Sequence, residues 1–227
     1  MLAEEIMEII NTNYSDKYAM SLITNACKQD IFERARKEHC TPSRLKTIKG
    51  IEHAMKSIRN KNREAWEKAY ILKDGRIAWT NIHVLILADP EYADEIHKEY
   101  IWQPEEIEQE NIGDFPDITG LENMEYKYKG VIEVDKVKAV KAFWKGKKGM
   151  HFMPIVINYK DDKKVAWYNL KYIDAICKIY NEPEIHFMAA DNLVMLVDKN
   201  GVKVIDTPVR VDKDDEVVGK LLKYFDL

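Results

Sequence analysis

Two short amphipathic helical patterns alternate with six strand-like runs between residues 130 and 212, and this alternation limits the folds open to the chain. The predicted order is strand 131–134, helix 136–146, strands 151–159 and 164–168, helix 170–180, and strands 184–189, 193–197 and 202–211. Turn residues such as Asp198-Lys199-Asn200-Gly201 join neighbouring strands tightly, which predicts antiparallel pairing. Few helices against many antiparallel strands predict an α+β fold, with short helices packed on sheets.

The first half of the chain begins with helical patterns and then changes to strands. Residues 2–40 keep apolar residues at helical spacing. Thr41-Pro42 then combines a capping residue with a proline suited to the first turn of a third helix. After that helix, strand-like runs at 69–73 and 76–88 flank the turn Asp74-Gly75, which predicts a hairpin.

An acidic stretch that contains prolines and glycines separates the two halves. Residues 89–125 lack a clear period, which predicts a loop-rich connection with one short strand at 97–102. The predicted organisation is a helical N-terminal segment at 1–40, a first unit at 41–112, a connection at 113–129, a second unit at 130–212 and a tail at 213–227. The tail begins with an acidic cluster and continues with an amphipathic pattern.

Composition and motifs argue against several classes of protein. The widely spaced Cys27, Cys40 and Cys177 show no zinc-ligand spacing, so we expect reduced thiols, a cytoplasmic location and no metal. No apolar run approaches the roughly 18 residues that a membrane span needs. The sequence has no glycine-rich phosphate loop or catalytic motif, and its histidines are scattered singly. We therefore expect no cofactor, no catalytic residue and no enzymatic activity.

Three predicted helices each place basic side chains on one face, although the net charge of the chain is −4. The residues are Lys49, Lys56, Arg59 and Arg63 after Pro42, Lys138, Lys141 and Lys145 in helix 136–146, and Lys171 and Lys178 in helix 170–180. One explanation is that these residues only keep the helix faces hydrated. The other is that they contact nucleic-acid phosphates, because the placement of charge, and not its total, decides such binding.

Three parts of the sequence resemble bacterial sliding-clamp proteins, the β subunit of DNA polymerase III and its phage relatives. DGRIAWTNIHVLIL at 74–87 is similar to the clamp hairpin DG…ATDGHRL, with Asn81-Ile82 in place of its second Asp-Gly pair. Residues 111–143 resemble the clamp segment that begins G-x-F-P-D, through Gly113, Phe115, Pro116 and Asp117. The last clamp motifs, FNPKYLLDAL and MPVRV, are matched by YNLKYIDA at 168–175 and TPVRV at 207–211.

The resemblance implies a DNA-clamp-like fold and a non-enzymatic role as a processivity factor in DNA replication. A chain of this length has room for two clamp domains at most, as in phage-type clamps, whereas bacterial clamps have three. By resemblance, identical subunits would form a ring around duplex DNA, and the basic helices would line the hole of that ring. These helices would contact the DNA backbone without sequence specificity. The implied partner is a DNA polymerase or another replication protein, bound in a hydrophobic pocket near Pro208-Val209-Arg210.

The rival hypothesis is a protein-interaction or regulatory domain that keeps a clamp-like fold but neither forms a ring nor binds DNA. The acidic stretch at 105–122 and the helical N-terminus favour it, because either could contact a partner or block a channel.

Two similar pentapeptides, AWTNI at 78–82 and AWYNL at 166–170, raise the question of an internal repeat. The first leads into strand-like residues, whereas the second leads into residues at helical spacing. We therefore expect each to mark one half of the chain, and not a literal repeat.

Overall fold

The computed structural model describes residues 2–12, 14–60, 64–159, 162–180, 182–188, 194–212 and 216–225. The chain forms two compact units, residues 1–46 and 47–227, each held together by its own contacts. The predicted boundaries of two clamp-like units, at 41–112 and 130–212, stay a prediction.

The first unit is helical, as predicted for residues 2–40. Helix α1 (Leu2–Asn11) contacts helix α2 (Asp16–His39). Several large apolar side chains of this unit are exposed, namely Met7, Ile10, Tyr14, Tyr18, Met20 and Ile31. Apolar surface therefore faces outward along both helices.

Helix α3 (Pro42–Ile58) begins where the sequence predicts. Thr41 Oγ1 accepts the backbone N–H of Arg44 at 3.3 Å, and Pro42 occupies the first turn, where its missing N–H would have no helical partner. From residue 47 onward one face of α3 is buried in the second unit, through Ile48, Ile51, Met55 and Ile58. These residues recur at the spacing of an amphipathic helix.

The described residues contain nine strands. They are β1 (Tyr70–Ile71), β2 (Ile77–Thr80), β3 (Val84–Ala88), β4 (Tyr128–Val131), β5 (Phe152–Tyr159), β6 (Asp162–Asn169), β7 (Glu184–Phe187), β8 (Met195–Lys199) and β9 (Val202–Asp206). Seven form one antiparallel sheet in the order β1-β2-β3-β9-β8-β7-β4, while β5 and β6 pair with each other. At the centre of the large sheet Leu85 lies opposite Ile205, so strands from both halves of the sequence share one sheet.

Short helices accompany these sheets, which confirms the predicted α+β fold class. They are α4 (Pro104–Glu110), α5 (Thr119–Glu122), α6 (Val134–Trp144), α7 (Leu170–Ile179) and α8 (Glu216–Tyr224). Helix α6 is tied to the β5–β6 hairpin because Trp144 Nε1 donates to Phe152 O at 2.9 Å. The residue after α7, Tyr180, donates its hydroxyl to Val202 O in β9 at 2.8 Å.

The core of the second unit is built around large side chains from both halves of the sequence. Trp79, Tyr168 and Phe187 are fully buried, and Trp79 Nε1 donates to Trp66 O at 3.0 Å. Asp206, an ionisable residue, is also fully buried in this core. Burial raises the pKa of its carboxyl well above the ordinary value, so the core favours the neutral acid.

The predicted single strand at 76–88 is wrong, because a turn at residues 81–83 divides it into β2 and β3. Asn81 makes this turn: its Oδ1 accepts the backbone N–H groups of His83 at 3.0 Å and Val84 at 2.8 Å. A side chain that satisfies two consecutive N–H groups replaces the ladder bonds that a continuous strand would make.

The predicted strand at 97–102 is also wrong. The backbone N–H of Tyr100 donates to His97 O, and that of Ile101 to Lys98 O, so the segment closes a 3₁₀ turn, after which Ile101 bridges Ala69.

Two strands have shifted boundaries. The strand predicted at 131–134 ends at Val131, since α6 begins at Val134, and the last strand ends at Asp206 instead of residue 211.

Helix α3 crosses α7 at Gly50, where the two backbones meet. A Cβ atom at Gly50 would lie 2.5 Å from Ile179 Cα and 2.5 Å from Lys178 O. Real side chains do not approach this closely, so only glycine fits without a shift of one helix. The distance between α3 and α7 therefore depends on this residue.

We predict that Gly50→Ala lowers the free energy of unfolding by about 1–2 kcal/mol, because overpacking costs about 1–3 kcal/mol and outweighs the better helix propensity of alanine. The matched control is Gly219→Ala in α8, where nothing lies within 4 Å of the added methyl group. That variant should be neutral or more stable by up to about 1 kcal/mol. Urea denaturation measures both, and equal stability of the two variants would contradict the crossing.

Candidate functional site

Helices α3, α7 and α6 lie next to one another, and charged side chains link them across the row. Asp174 on α7 is the central group: its Oδ1 accepts from Lys141 Nζ of α6 at 2.8 Å, and its Oδ2 lies 3.4 Å from Lys178 Nζ. Lys178 Nζ in turn lies 2.7 Å from Nε2 of His53 on α3. One network of polar contacts thus crosses three helices that are separated in sequence.

The protonation of this network follows from its geometry. Partial burial alone would raise the pKa of Asp174, but the hydrogen bond from Lys141 and the charges of Lys141 and Lys178 lower it below the ordinary value. Partial burial lowers the pKa of His53, and the neighbouring ammonium of Lys178 lowers it further. His53 therefore favours its neutral form, which can accept from Lys178.

The structure brings together the lysines predicted on α6 and α7. Lys138 is exposed on α6 and forms an ion pair with Asp135 at 2.9 Å. Lys141 and Lys178 share Asp174, as described above. Lys145 and Lys171 lie on the wall of one cavity at the junction of α6 and α7.

The basic residues predicted near α3 lie further apart than the lysines of α6 and α7. Lys49 and Lys56 are exposed on the helix, whereas Arg59 follows its last residue, Ile58. Lys56 and Arg59 line a small cavity together with two acidic residues, Glu67 and Glu99. Arg63 lies outside the described residues.

A second feature of this unit is an apolar pocket of about 210 Å³. Its wall comes from Trp66 and from three further segments that are far apart in sequence: residues 80–85 at the β2–β3 turn, residues 115–121, and residues 205–207 at the end of β9. These segments belong to the stretches whose sequences resemble clamp motifs. None of residues 208–210, near which the sequence predicts a pocket, lines this one, so that prediction stays untested.

Hydrogen bonds hold the turn at the rim of this pocket in place. Asn81 is buried, and its Nδ2 donates to Ile58 O at the end of α3 at 2.9 Å. The backbone N–H of Thr207 donates to His83 O at 3.0 Å, which joins the turn to the residue after β9. The pocket wall is therefore fixed to both α3 and the sheet.

Ile82 at the tip of the turn has a strained backbone. Its φ is 85°, in the region that favours glycine, although its side chain is β-branched and 52% exposed. This is the position at which the clamp hairpin carries glycine. The chain thus keeps the glycine conformation while presenting an isoleucine side chain at the pocket.

The described part of the chain offers neither a metal site nor a membrane-spanning helix. It contains no group of three or more His, Cys, Asp or Glu side chains arranged to hold a metal ion. None of its helices combines the length and the apolar character that crossing a bilayer would require.

Comparison with known proteins gives similarity in structure only. No family model and no curated protein sequence matches the chain. Among solved structures, the DNA polymerase III subunit beta of Borrelia burgdorferi has a TM-score of 0.49 and 11% identity, over 74% of this chain and 63% of that chain. The beta sliding clamp of C. crescentus has a TM-score of 0.48 and 15% identity, over 72% and 63% of the two chains.

The DNA polymerase sliding clamp of Bacillus subtilis gives a TM-score of 0.46 and 14% identity, over 74% of this chain and 62% of that chain. The matched region spans less than two thirds of each of these clamps. Sequence identities of 11–15% support no statement about the activity or the partners of this chain.

We predict that Ile82→Gly raises the free energy of unfolding by about 1 kcal/mol, because it removes the cost of a left-handed backbone at a β-branched residue. The control is Asn200→Gly in the β8–β9 turn, where φ is 59°. Asparagine tolerates this conformation, so that variant should change stability by less than about 0.5 kcal/mol. Thermal or urea denaturation compares the two, and destabilisation by Ile82→Gly would show that the turn is not strained.

Proposed function

We propose that this chain is a non-enzymatic, sliding-clamp-like protein that contacts the backbone of duplex DNA through α3, α6 and α7. The observation that carries the proposal is a row of three helices that bear exposed lysines and are joined by one polar network, formed by Lys141, Asp174, Lys178 and His53. Lysines on the faces of adjacent helices suit phosphates, which lie at regular positions along the duplex and carry no sequence information. Contacts of this kind hold DNA and still allow the protein to move along it.

The balance of charge on the helix row is compatible with DNA binding. Asp174 and Asp135 offset part of the positive charge of Lys138, Lys141 and Lys178. Among the described residues, Lys145 and Lys171 make no ion pair with an acidic side chain. Lys49 and Lys56 add positive charge on the neighbouring helix.

We further propose that the apolar pocket binds a short segment of a DNA polymerase or another replication protein. The support is the convergence of three clamp-like stretches on one pocket, together with the exposed Ile82 at its rim. A pocket of this size accommodates one or two apolar side chains of a peptide. Because the resemblance to sliding clamps implies a ring of identical subunits around DNA, we propose a homo-oligomer.

The DNA contact is tested by charge reversal on α6 and at Lys145, the residue that follows it. Lys138, Lys141 and Lys145 are changed together to Glu, and we expect affinity for a blunt duplex at low salt to fall at least about tenfold. The control reverses Lys127, Lys129 and Lys203, three ion-paired lysines on or beside strands that give the same change in net charge. Fluorescence anisotropy and circular dichroism measure binding and folding. Equal loss in both triple variants, or no loss in the first, would refute the helix row as a DNA contact.

The peptide pocket is tested with Ile82→Glu, which places a charge at the rim. The probe is a fluorescein-labelled peptide that carries the clamp-binding segment of a bacterial replicative polymerase. We expect affinity to fall about tenfold or more, because burial of an isoleucine side chain contributes about 1.5–3 kcal/mol. Ile71→Glu is the control, since Ile71 has the same exposed fraction, 52%, and does not line the pocket. Binding that survives Ile82→Glu would exclude this pocket.

The second candidate function is a protein-interaction or regulatory domain with a clamp-like fold that does not encircle DNA. The observation that favours it is the exposed apolar surface of α1 and α2, including Met7, Ile10, Met20 and Ile31. Surfaces of this kind are typical of protein contacts. The mass in solution separates the two candidates, because a ring requires an oligomer and a strict monomer supports the second.

A further inference from the structure

A cavity of about 470 Å³ opens where the end of α6 meets the start of α7. One wall is the segment 145–151 that leaves α6, and the other is the first turn of α7. A volume of this size exceeds what a single phosphate group needs and falls within the range of sites for nucleotide-sized molecules.

The wall formed by residues 145–151 is held by its own contacts. Gly146 and Gly149 have φ values of 80° and 99°, which let the backbone turn back towards the helices. His151 stacks on Trp144, with ring centroids 4.9 Å apart and planes 12° apart, and its Nε2 lies 3.0 Å from Lys147 O. The backbone N–H of Leu170 donates to His151 O at 2.9 Å, which joins this wall to α7. The cavity is therefore formed before any ligand binds.

The charge around the cavity favours an anion. Lys141, Lys145 and Lys171 line it, and Lys147 and Lys148 lie in the same wall segment. Asp174 is the acidic residue in the lining, and it is already bound to Lys141 and Lys178. A phosphate that entered here would meet ammonium groups from both helices.

The floor of the cavity is apolar. Trp144 and Leu170 are buried beneath it, while the side chain of Met150 is 56% exposed at its edge. The phosphates of a duplex need no apolar surface, and the bases of a duplex are stacked inside it. A combination of lysines with an apolar floor instead suits a nucleotide whose base has left the stack.

We propose that this cavity binds an unpaired nucleotide of single-stranded DNA, at the point where a duplex ends. The lysines would hold its phosphate, and Met150 with the rings of Trp144 and His151 would contact its base. This inference rests on the proposed function, in which α6 and α7 face DNA, and it adds a preference for junctions between duplex and single strand.

The test compares a blunt duplex with the same duplex carrying a three-nucleotide single-stranded extension, by fluorescence anisotropy with the full chain. We expect the extended duplex to bind about tenfold more tightly, since stacking contributes substantially for each base. Met150→Ser should lower that preference about fivefold and leave affinity for the blunt duplex unchanged. A 2-aminopurine in the extension reports base contact through a change in its fluorescence, which Met150→Ser should reduce.

Lys138→Glu is the matched control, because Lys138 lies on α6 but does not line the cavity. It should weaken binding of both duplexes equally. Equal affinity of the wild-type chain for both duplexes would overturn this inference and leave the proposed duplex contact intact. Binding of the extended duplex alone would support the cavity and contradict the duplex contact, and no binding of either would overturn both.

Discussion

The close approach of α3 to α7 at Gly50 is the constraint on which the candidate DNA surface depends. Because no side chain separates the two backbones there, His53 of α3 comes within 2.7 Å of Lys178 of α7. On its other side α7 meets α6, where Lys141 and Asp174 form an ion pair. Helix α7 thus fixes the positions of both neighbours, and the lysines of three distant sequence segments lie on adjacent helices only because of this packing.

The two similar pentapeptides share one local hydrogen bond, but they lie at different positions in the fold. Asn81 Oδ1 accepts the backbone N–H of His83, and Asn169 Oδ1 accepts that of Lys171, so each asparagine binds the N–H two residues later. After Asn169 this bond caps helix α7, whereas after Asn81 the chain turns into β3. The difference lies in the residues beyond each turn, because His83–Ala88 can pair with β9, whereas Leu170–Ile179 buries one helical face. An identical side-chain bond therefore serves a helix start in one place and a hairpin turn in the other.

Features that depend on local sequence were predictable, and features that depend on tertiary packing were not. Helices α6 and α7 were predicted within a few residues because their apolar spacing is regular. The turn at Asn81 is not predicted because it interrupts a continuous apolar run, and the side chain whose Oδ1 makes the turn is held through its Nδ2 by Ile58, far away in the chain. The basic faces follow from spacing, and so does the pair of Asp174 with Lys178 four residues later, but the bond from Lys141 to Asp174 does not, because Lys141 belongs to another helix. The apolar pocket requires three segments and has no local signature.

Asp174 has two opposite effects on the helix row: it stabilises the packing of α6 against α7, and it weakens the attraction of the surface for an anion. Its carboxylate holds Lys141 and Lys178 at fixed positions, and it lowers the positive charge that the surface presents. A surface of unpaired lysines would attract phosphates more strongly, but repulsion between like charges would separate α6 from α7. With the acid in the centre of the row, the remaining positive charge lies towards the junction of the two helices, at Lys145 and Lys171. Under the proposed function, we expect this distribution to favour phosphate binding beside the cavity.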